Sequence, residues 1–204
     1  MNKITALHSG TYYNLVSLFK EPFAKYFHKC VYLPELKKSD LDDCDILLVT
    51  DSLVVRHLEK NKELFKEFLK SGRTLVIGGR NEPQLWLEGI EYKELPFNFW
   101  WWLDKEHNDI DITPDDTNHE LFKYIDFKDL IWHFHGGYKK LNGAKSAIKS
   151  KLDESVSVYQ ECSFGGGNLI LTSLDPFFHH GCFFMPNASK FSAGLLERLM
   201  GLKV

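Results

Sequence analysis

Ser163-Phe164-Gly165-Gly166-Gly167-Asn168-Leu169-Ile170-Leu171-Thr172-Ser173-Leu174-Asp175-Pro176-Phe177-Phe178-His179-His180-Gly181 is the stretch on which the fold turns. A glycine turn leads into a continuous apolar run. The run ends in Asp175, Pro176 and two histidines. Such a pattern reads as a buried strand that delivers a loop of reactive side chains to one end of a sheet. Pro176 lacks an N–H and blocks further strand pairing. Upstream, Ser155-Val156-Ser157-Val158-Tyr159 alternates and is expected to form a late hairpin with this strand across Gly165–Gly167.

The rest of the chain is expected to supply a parallel sheet. Ile4–His8 reads as a first strand and Val31–Leu33 as a second. Leu15–Phe27 has near-helical apolar spacing, interrupted by Pro22. Asp45–Thr50 and Arg73–Ile77 are continuously apolar, as strands covered on both faces are. Between them, Leu58–Leu69 has a helical pattern stopped by Ser71-Gly72. Glu82–Leu87 reads as a short helix, Asn118–Ile125 as one or two helical turns, Leu130–His135 as a strand closed by Gly136-Gly137, and Ser189–Met200 as a final helix. Alternating strands and helices predict a single flavodoxin-like α/β domain over residues 1–204: three layers, a mostly parallel sheet with helices on both faces, and the late hairpin.

Composition narrows the function. A net charge of −3 on 204 residues provides no basic field, which argues against a nucleic-acid partner. No apolar run approaches the roughly 20 residues that cross a bilayer, so no membrane role is expected. The first residues, Met1–Leu7, turn polar too soon for a secretory signal, and four cysteines show no CxxC spacing. These features predict a cytoplasmic protein with reduced thiols and no cysteine-based zinc site. No motif names a cofactor.

The order of Asp45–Asp51, the 61–69 helix, Ser71–Gly79, Asn118-His119-Glu120-Leu121 and Gly166–Pro176 resembles the class I glutamine amidotransferase-like superfamily, nearest its trehalose-utilisation-like branch. In the superfamily's glutaminases, a Gly-x-Cys-x-Gly elbow follows the strand matching Leu75–Ile77, and a downstream His-x-Glu pair activates the cysteine. Here that place reads Gly78-Gly79-Arg80-Asn81-Glu82, and no His-x-Glu lies near the C-terminus. Arginine stays protonated and offers no nucleophilic lone pair. The resemblance therefore implies the fold and argues against glutaminase chemistry.

Four groups of residues are candidates for what remains. Gly79, Arg80 and Asn81 sit at a strand-to-helix turn, where backbone N–H groups and a guanidinium suit an anion; a tight turn with a surface arginine is the plainer reading. His133 and His135 would share one face of a strand, as metal ligands, as a general base, or as one core and one surface histidine. Asp175 with His179 and His180 could form an acid–base pair, or Asp175 could simply cap a helix. Trp101, within Phe97–Trp102, belongs to an aromatic segment that could be core wall, ring-stacking platform or dimer contact. Three functions follow. The first is an amidotransferase-like protein without glutaminase activity that binds a small polar ligand, carbohydrate or anionic, at the C-terminal edge of the sheet. The second is a hydrolase or isomerase using His/Asp acid–base chemistry, with or without a metal. The third is an interaction module, including a homo-oligomer, docking through the aromatic segment.

Overall fold

A computed structural model describes residues 1–95, 111–132 and 134–202. Five strands form a parallel half-sheet in the order β2 (Phe27–Tyr32), β1 (Ile4–His8), β3 (Ile46–Val49), β4 (Thr74–Ile77) and β10 (Gly167–Thr172). This 2-1-3-4-5 order is that of doubly wound flavodoxin-like sheets. The sheet then continues with antiparallel strands. β9 (Val156–Phe164) pairs with β10 across Gly165-Gly166, which is the expected hairpin. β9 also pairs with β7 (Gly136–Lys139) and β8 (Lys145–Ser150), which extend to β5 (Tyr92–Glu94) and β6 (Ile112–Pro114).

Both faces of the parallel half are covered, which is why its strands read as unbroken apolar runs. Successive side chains point to opposite faces. Ile46 and Leu48 join the core beneath α1 (Tyr12–Phe19), α4 (Pro176–Gly181) and α5 (Pro186–Gly201). Leu47 and Val49 join the core beneath α2 (Val55–Lys60) and α3 (Lys62–Lys70). This is the expected three-layer arrangement. Gly72, at φ +86°, takes the left-handed conformation that ends α3, and its N–H bonds the Leu69 carbonyl at 2.9 Å.

Several elements differ from expectation. The Leu15–Phe27 helix ends at Phe19, and a short 3-10 turn at Ala24–Tyr26 follows. The Leu58–Leu69 helix starts earlier, at Val55, and is broken at Asn61 into two. Leu130–His135 forms no strand among its described residues. Phe127–Leu130 is a 3-10 turn, and the strand begins only at Gly136. The apolar alternation there is real, because Leu130, Trp132 and Phe134 are buried, and the Trp132 ring packs against Phe191 of α5. The strand starts at the glycines because neighbouring strands crowd that backbone. A Cβ on Gly137 would lie 2.5 Å from Val156 Cγ1 and 2.6 Å from the Ser157 carbonyl oxygen. Pro176–Gly181, expected as a loop, is α4.

Helix α4 packs directly on α1. The Ser17 hydroxyl donates to the Phe177 carbonyl at 2.6 Å, and a Cβ on Gly181 would lie 2.3 Å from the Tyr13 carbonyl oxygen. That contact is backbone against backbone, so an added methyl cannot be absorbed by a side-chain rotation. Gly181→Ala is expected to destabilise the protein by about 1–3 kcal/mol. Urea denaturation should show a lower midpoint at an unchanged slope.

Candidate functional site

The parallel strands β1, β3, β4 and β10 all end at one edge, where open α/β sheets bind ligands. Two of those ends carry a carboxyl group. Asp51 follows β3 and is fully buried. Its Oδ2 accepts the N–H groups of Phe177 at 2.6 Å and Phe178 at 2.9 Å, the otherwise unpartnered donors of the first turn of α4. Asp175 stands immediately before that helix. Its side chain makes no local cap bond; the cap comes from Asp51, across the sheet.

Burial pushes the Asp51 carboxyl well above the usual carboxylate range, and the neighbouring Asp175 adds to the shift. The two N–H bonds oppose it without reversing it. Asp51 Oδ1 is buried and has no hydrogen-bond partner. It lies against the elbow: a Cβ on Gly78 would fall 2.3 Å from that oxygen. A Cβ on Gly79 would meet Asp51 Cβ at 3.0 Å and Asp175 Cβ at 3.1 Å. Gly79 also has φ +62°. The glycine pair thus lets the elbow backbone slot between the two aspartates.

Polar bonds hold the elbow rigid. The Gly79 N–H donates to the Leu174 carbonyl at 2.8 Å, and the Tyr138 hydroxyl donates to the Gly79 carbonyl at 3.0 Å. Asn81 is buried. Its amide donates to the carbonyls of Thr50 at 2.6 Å and Gly78 at 2.7 Å, and its oxygen accepts the Leu53 N–H at 2.8 Å. Asn81 therefore ties the β3 and β4 loops together, and it does not face the cavity beside them.

That cavity has a volume of about 350 Å³ and is lined by Ser52, Leu53, Arg80, His135, Ser173 and Asp175. Three of the sequence candidates, Arg80, His135 and Asp175, converge on it from three separate loops. Arg80 lies over the Tyr92 ring, 5.4 Å from its centroid, and 3.6 Å from Glu94 Oε1. Its side chain is 47% exposed, so the guanidinium can be reached by a ligand. Tyr92, whose hydroxyl is buried and unpartnered, is pushed up to about 12, chiefly by burial. The Ser173 hydroxyl at the cavity wall also has no partner.

His179 is buried behind Asp175, with Nε2 3.2 Å from Asp175 Oδ1. The pair sits at i and i+4 of one helical segment, so the local fold makes the acid–histidine contact. His180 goes elsewhere. Its Nδ1 bonds the Ser189 hydroxyl at 2.8 Å, its ring packs on Phe23, and burial lowers its pKa. His133 and Trp101, with the whole Phe97–Trp102 segment, lie outside the described residues. The same-face arrangement of His133 and His135 required a strand at Leu130–His135, and His135 precedes the strand. Among the described residues no group of three His, Cys, Asp or Glu side chains is placed to hold a metal ion.

Neither a family model nor a curated protein matches the sequence. Solved structures match the fold. The cytoplasmic protein STM1381 of Salmonella typhimurium LT2 aligns at TM-score 0.58 with 10% identity, over 96% of this chain and 98% of that one. A Thermoplasma acidophilum protein described as part of a GMP synthase aligns at TM-score 0.55 with 8% identity, over 98% and 95%. These likenesses concern the fold alone, an α/β three-layer arrangement around a mostly parallel sheet. It also recurs within a larger enzyme: a β-galactosidase of Rahnella sp. R3 aligns at TM-score 0.54 with 11% identity, over 98% of this chain but 31% of that one. No described helix is long and apolar enough to cross a membrane.

The turn after β4 presents Arg80 to the cavity, and none of the four cysteines lines it. Local sequence reads Asp51 as a turn or cap residue, and a cap is what it is. Its signal is present, an acid directly after an apolar strand, but nothing local marks a carboxyl whose partners are 126 and 127 residues away. The raised Asp51 pKa has a signed consequence for stability. On unfolding, Asp51 ionises near its ordinary value, whereas the folded protein keeps the proton. Its contribution is therefore fully present below about pH 4 and is lost as pH rises towards the folded-state pKa, at up to about 1.4 kcal/mol per pH unit. Asp51→Asn keeps an oxygen for the two N–H groups and removes the titration. Its stability relative to the unmutated protein is expected to climb as pH rises above about 4, followed from pH 4 to pH 8 by urea denaturation. A difference that stays flat over that range contradicts the assignment.

Proposed function

We propose that this is an amidotransferase-like protein without glutaminase activity that binds a small anionic ligand, such as a phosphorylated or carboxylated carbohydrate, at the C-terminal edge of the sheet. The convergence of Arg80, His135 and Asp175 on one cavity supports this reading most directly. The elbow supplies a guanidinium in place of a nucleophile, and a guanidinium is suited to forked hydrogen bonding with carboxylate or phosphate oxygens. Glu94 is the resident counter-charge, at 3.6 Å and well exposed, so an entering anion would displace it. Membership of the trehalose-utilisation-like branch and a cytoplasmic location belong with this reading as proposals.

A second reading is acid–base catalysis on the bound ligand. It is favoured by the Asp175–His179 contact at 3.2 Å and by the neighbouring Asp51, whose carboxyl burial pushes above the usual carboxylate range. Asp175 would exchange a proton with the ligand, and His179 would hold the Asp175 carboxyl in position. A hydrolase or isomerase of a small polar substrate fits that arrangement.

Binding is tested by titrating inorganic phosphate, citrate and glucose 6-phosphate into the protein by calorimetry. At least one is expected to bind. A charge-assisted hydrogen bond contributes about 1.5–3 kcal/mol, so Arg80→Ala should weaken that ligand by roughly 10- to 100-fold. Glu94→Gln should tighten it. Binding unaffected by Arg80→Ala would place the anion elsewhere. Ammonia release from glutamine is expected to stay at the level of buffer alone.

A further inference from the structure

A larger cavity, of about 530 Å³, lies at the opposite pole of the sheet. Its walls include Thr74 and Asn168, at the starts of β4 and β10, so it is separated from the elbow by the length of the strands. Its floor is a buried ionic network. Arg198 of α5, 5% exposed, places Nη2 2.5 Å from Glu161 Oε2 and donates from Nη1 to the Tyr159 hydroxyl at 3.1 Å. His119, 3% exposed, accepts the Leu121 N–H on Nδ1 and brings Nε2 2.7 Å from Glu161 Oε1. Burial pushes the Glu161 carboxyl up, but His119 and Arg198 outweigh it and hold it below the usual carboxylate range. The Arg198 Nε–H is buried without a partner. Well-packed apolar residues are often as stabilising as such a network or more so, so its presence calls for a reason other than stability.

The charges around this floor do not all cancel. Glu161 is matched by Arg198 and His119, and Glu120 by Lys123 at 2.8 Å. Two wall residues remain. Lys145 stands directly opposite Glu161 in the antiparallel β8–β9 register, on the same face of the sheet. Asp116 uses Oδ1 to accept the Asn118 N–H at 2.9 Å. Among the described residues neither has an oppositely charged partner, and both are exposed.

From this residual charge pattern we propose that the opposite-pole cavity binds a small zwitterion of the α-amino-acid class, its carboxylate on Lys145 and its ammonium on Asp116. A simple anion would meet three carboxylates on the walls, and a simple cation would meet Lys145 and Arg198; a molecule carrying both charges satisfies both ends. The volume is in the range of small-molecule pockets. This site is independent of the elbow cavity.

The test is a thermal-shift series with the twenty α-amino acids at millimolar concentration, since a ligand of the folded state raises the melting temperature. At least one is expected to raise it by a few degrees, while its N-acetyl derivative, which lacks the ammonium, and its amide, which lacks the carboxylate, do not. Lys145→Gln and Asp116→Asn should each abolish the shift; both side chains are exposed, and asparagine can keep the Asn118 bond. Arg80→Ala should leave the shift intact, which separates this site from the one at the elbow. No shift with any amino acid, an equal shift with the amide or the N-acetyl form, or a shift that survives both wall substitutions overturns the proposal.

Discussion

The Asp51 carboxyl is the point on which the ligand edge of this protein depends. A single oxygen accepts the first two free N–H groups of α4, so the end of one central strand is bonded to the start of the helix after another. This bond aligns α4 against the sheet edge and sets Asp175, at the helix entrance, beside Asp51. Burial and the nearby Asp175 push the Asp51 carboxyl well above the usual carboxylate range. The same interaction is thus a helix cap, a tether between distant segments and the source of the site's perturbed acid.

The elbow is shaped by that pair. Gly78 and Gly79 pass so close to Asp51 and Asp175 that a Cβ at either position would collide or crowd. Where the glutaminases that the sequence resembles carry a cysteine, this chain presents Arg80. The surrounding bonds, from Tyr138 to Gly79 and from Asn81 to both neighbouring loops, keep the turn rigid all the same. A preserved elbow with a cationic tip suits recognition of negative charge better than attack on an amide carbon. The acid–base reading and the binding reading share this geometry and differ in whether Asp175 exchanges its proton with what Arg80 holds.

Much of the fold was legible in the residues because the parallel half of the sheet is covered on both faces. That condition writes Ile46–Val49 and Thr74–Ile77 as unbroken apolar runs, and Ser71-Gly72 as a helix stop. The errors fell where local pattern and tertiary bonding part. Leu130, Trp132 and Phe134 alternate as a strand would, yet they face α5 without joining a ladder. Pro176 does end the strand pairing as read, but the residues after it, expected as a loop, form α4, because a proline also suits the first turn of a helix, where its missing N–H costs nothing. Arg80 and Asp175 were legible as residues of one sheet edge from their place at strand ends, and they line one cavity. Asn81 was legible as conspicuous, but its amide bonds backbone on both sides.

By itself the sequence determined the strand–helix order, the late hairpin and the absence of a cysteine at the elbow, because each of these is encoded by neighbours within a few residues. Only the tertiary structure decided that Asp51 caps α4, that Arg80, His135 and Asp175 line one cavity, and that, among the described residues, Lys145 and Asp116 are left without counter-charges around a second one. Those relations join residues separated by tens to more than a hundred positions. The physical reason is that burial and pairing set the properties of an ionisable group, and neither exists until the chain has folded.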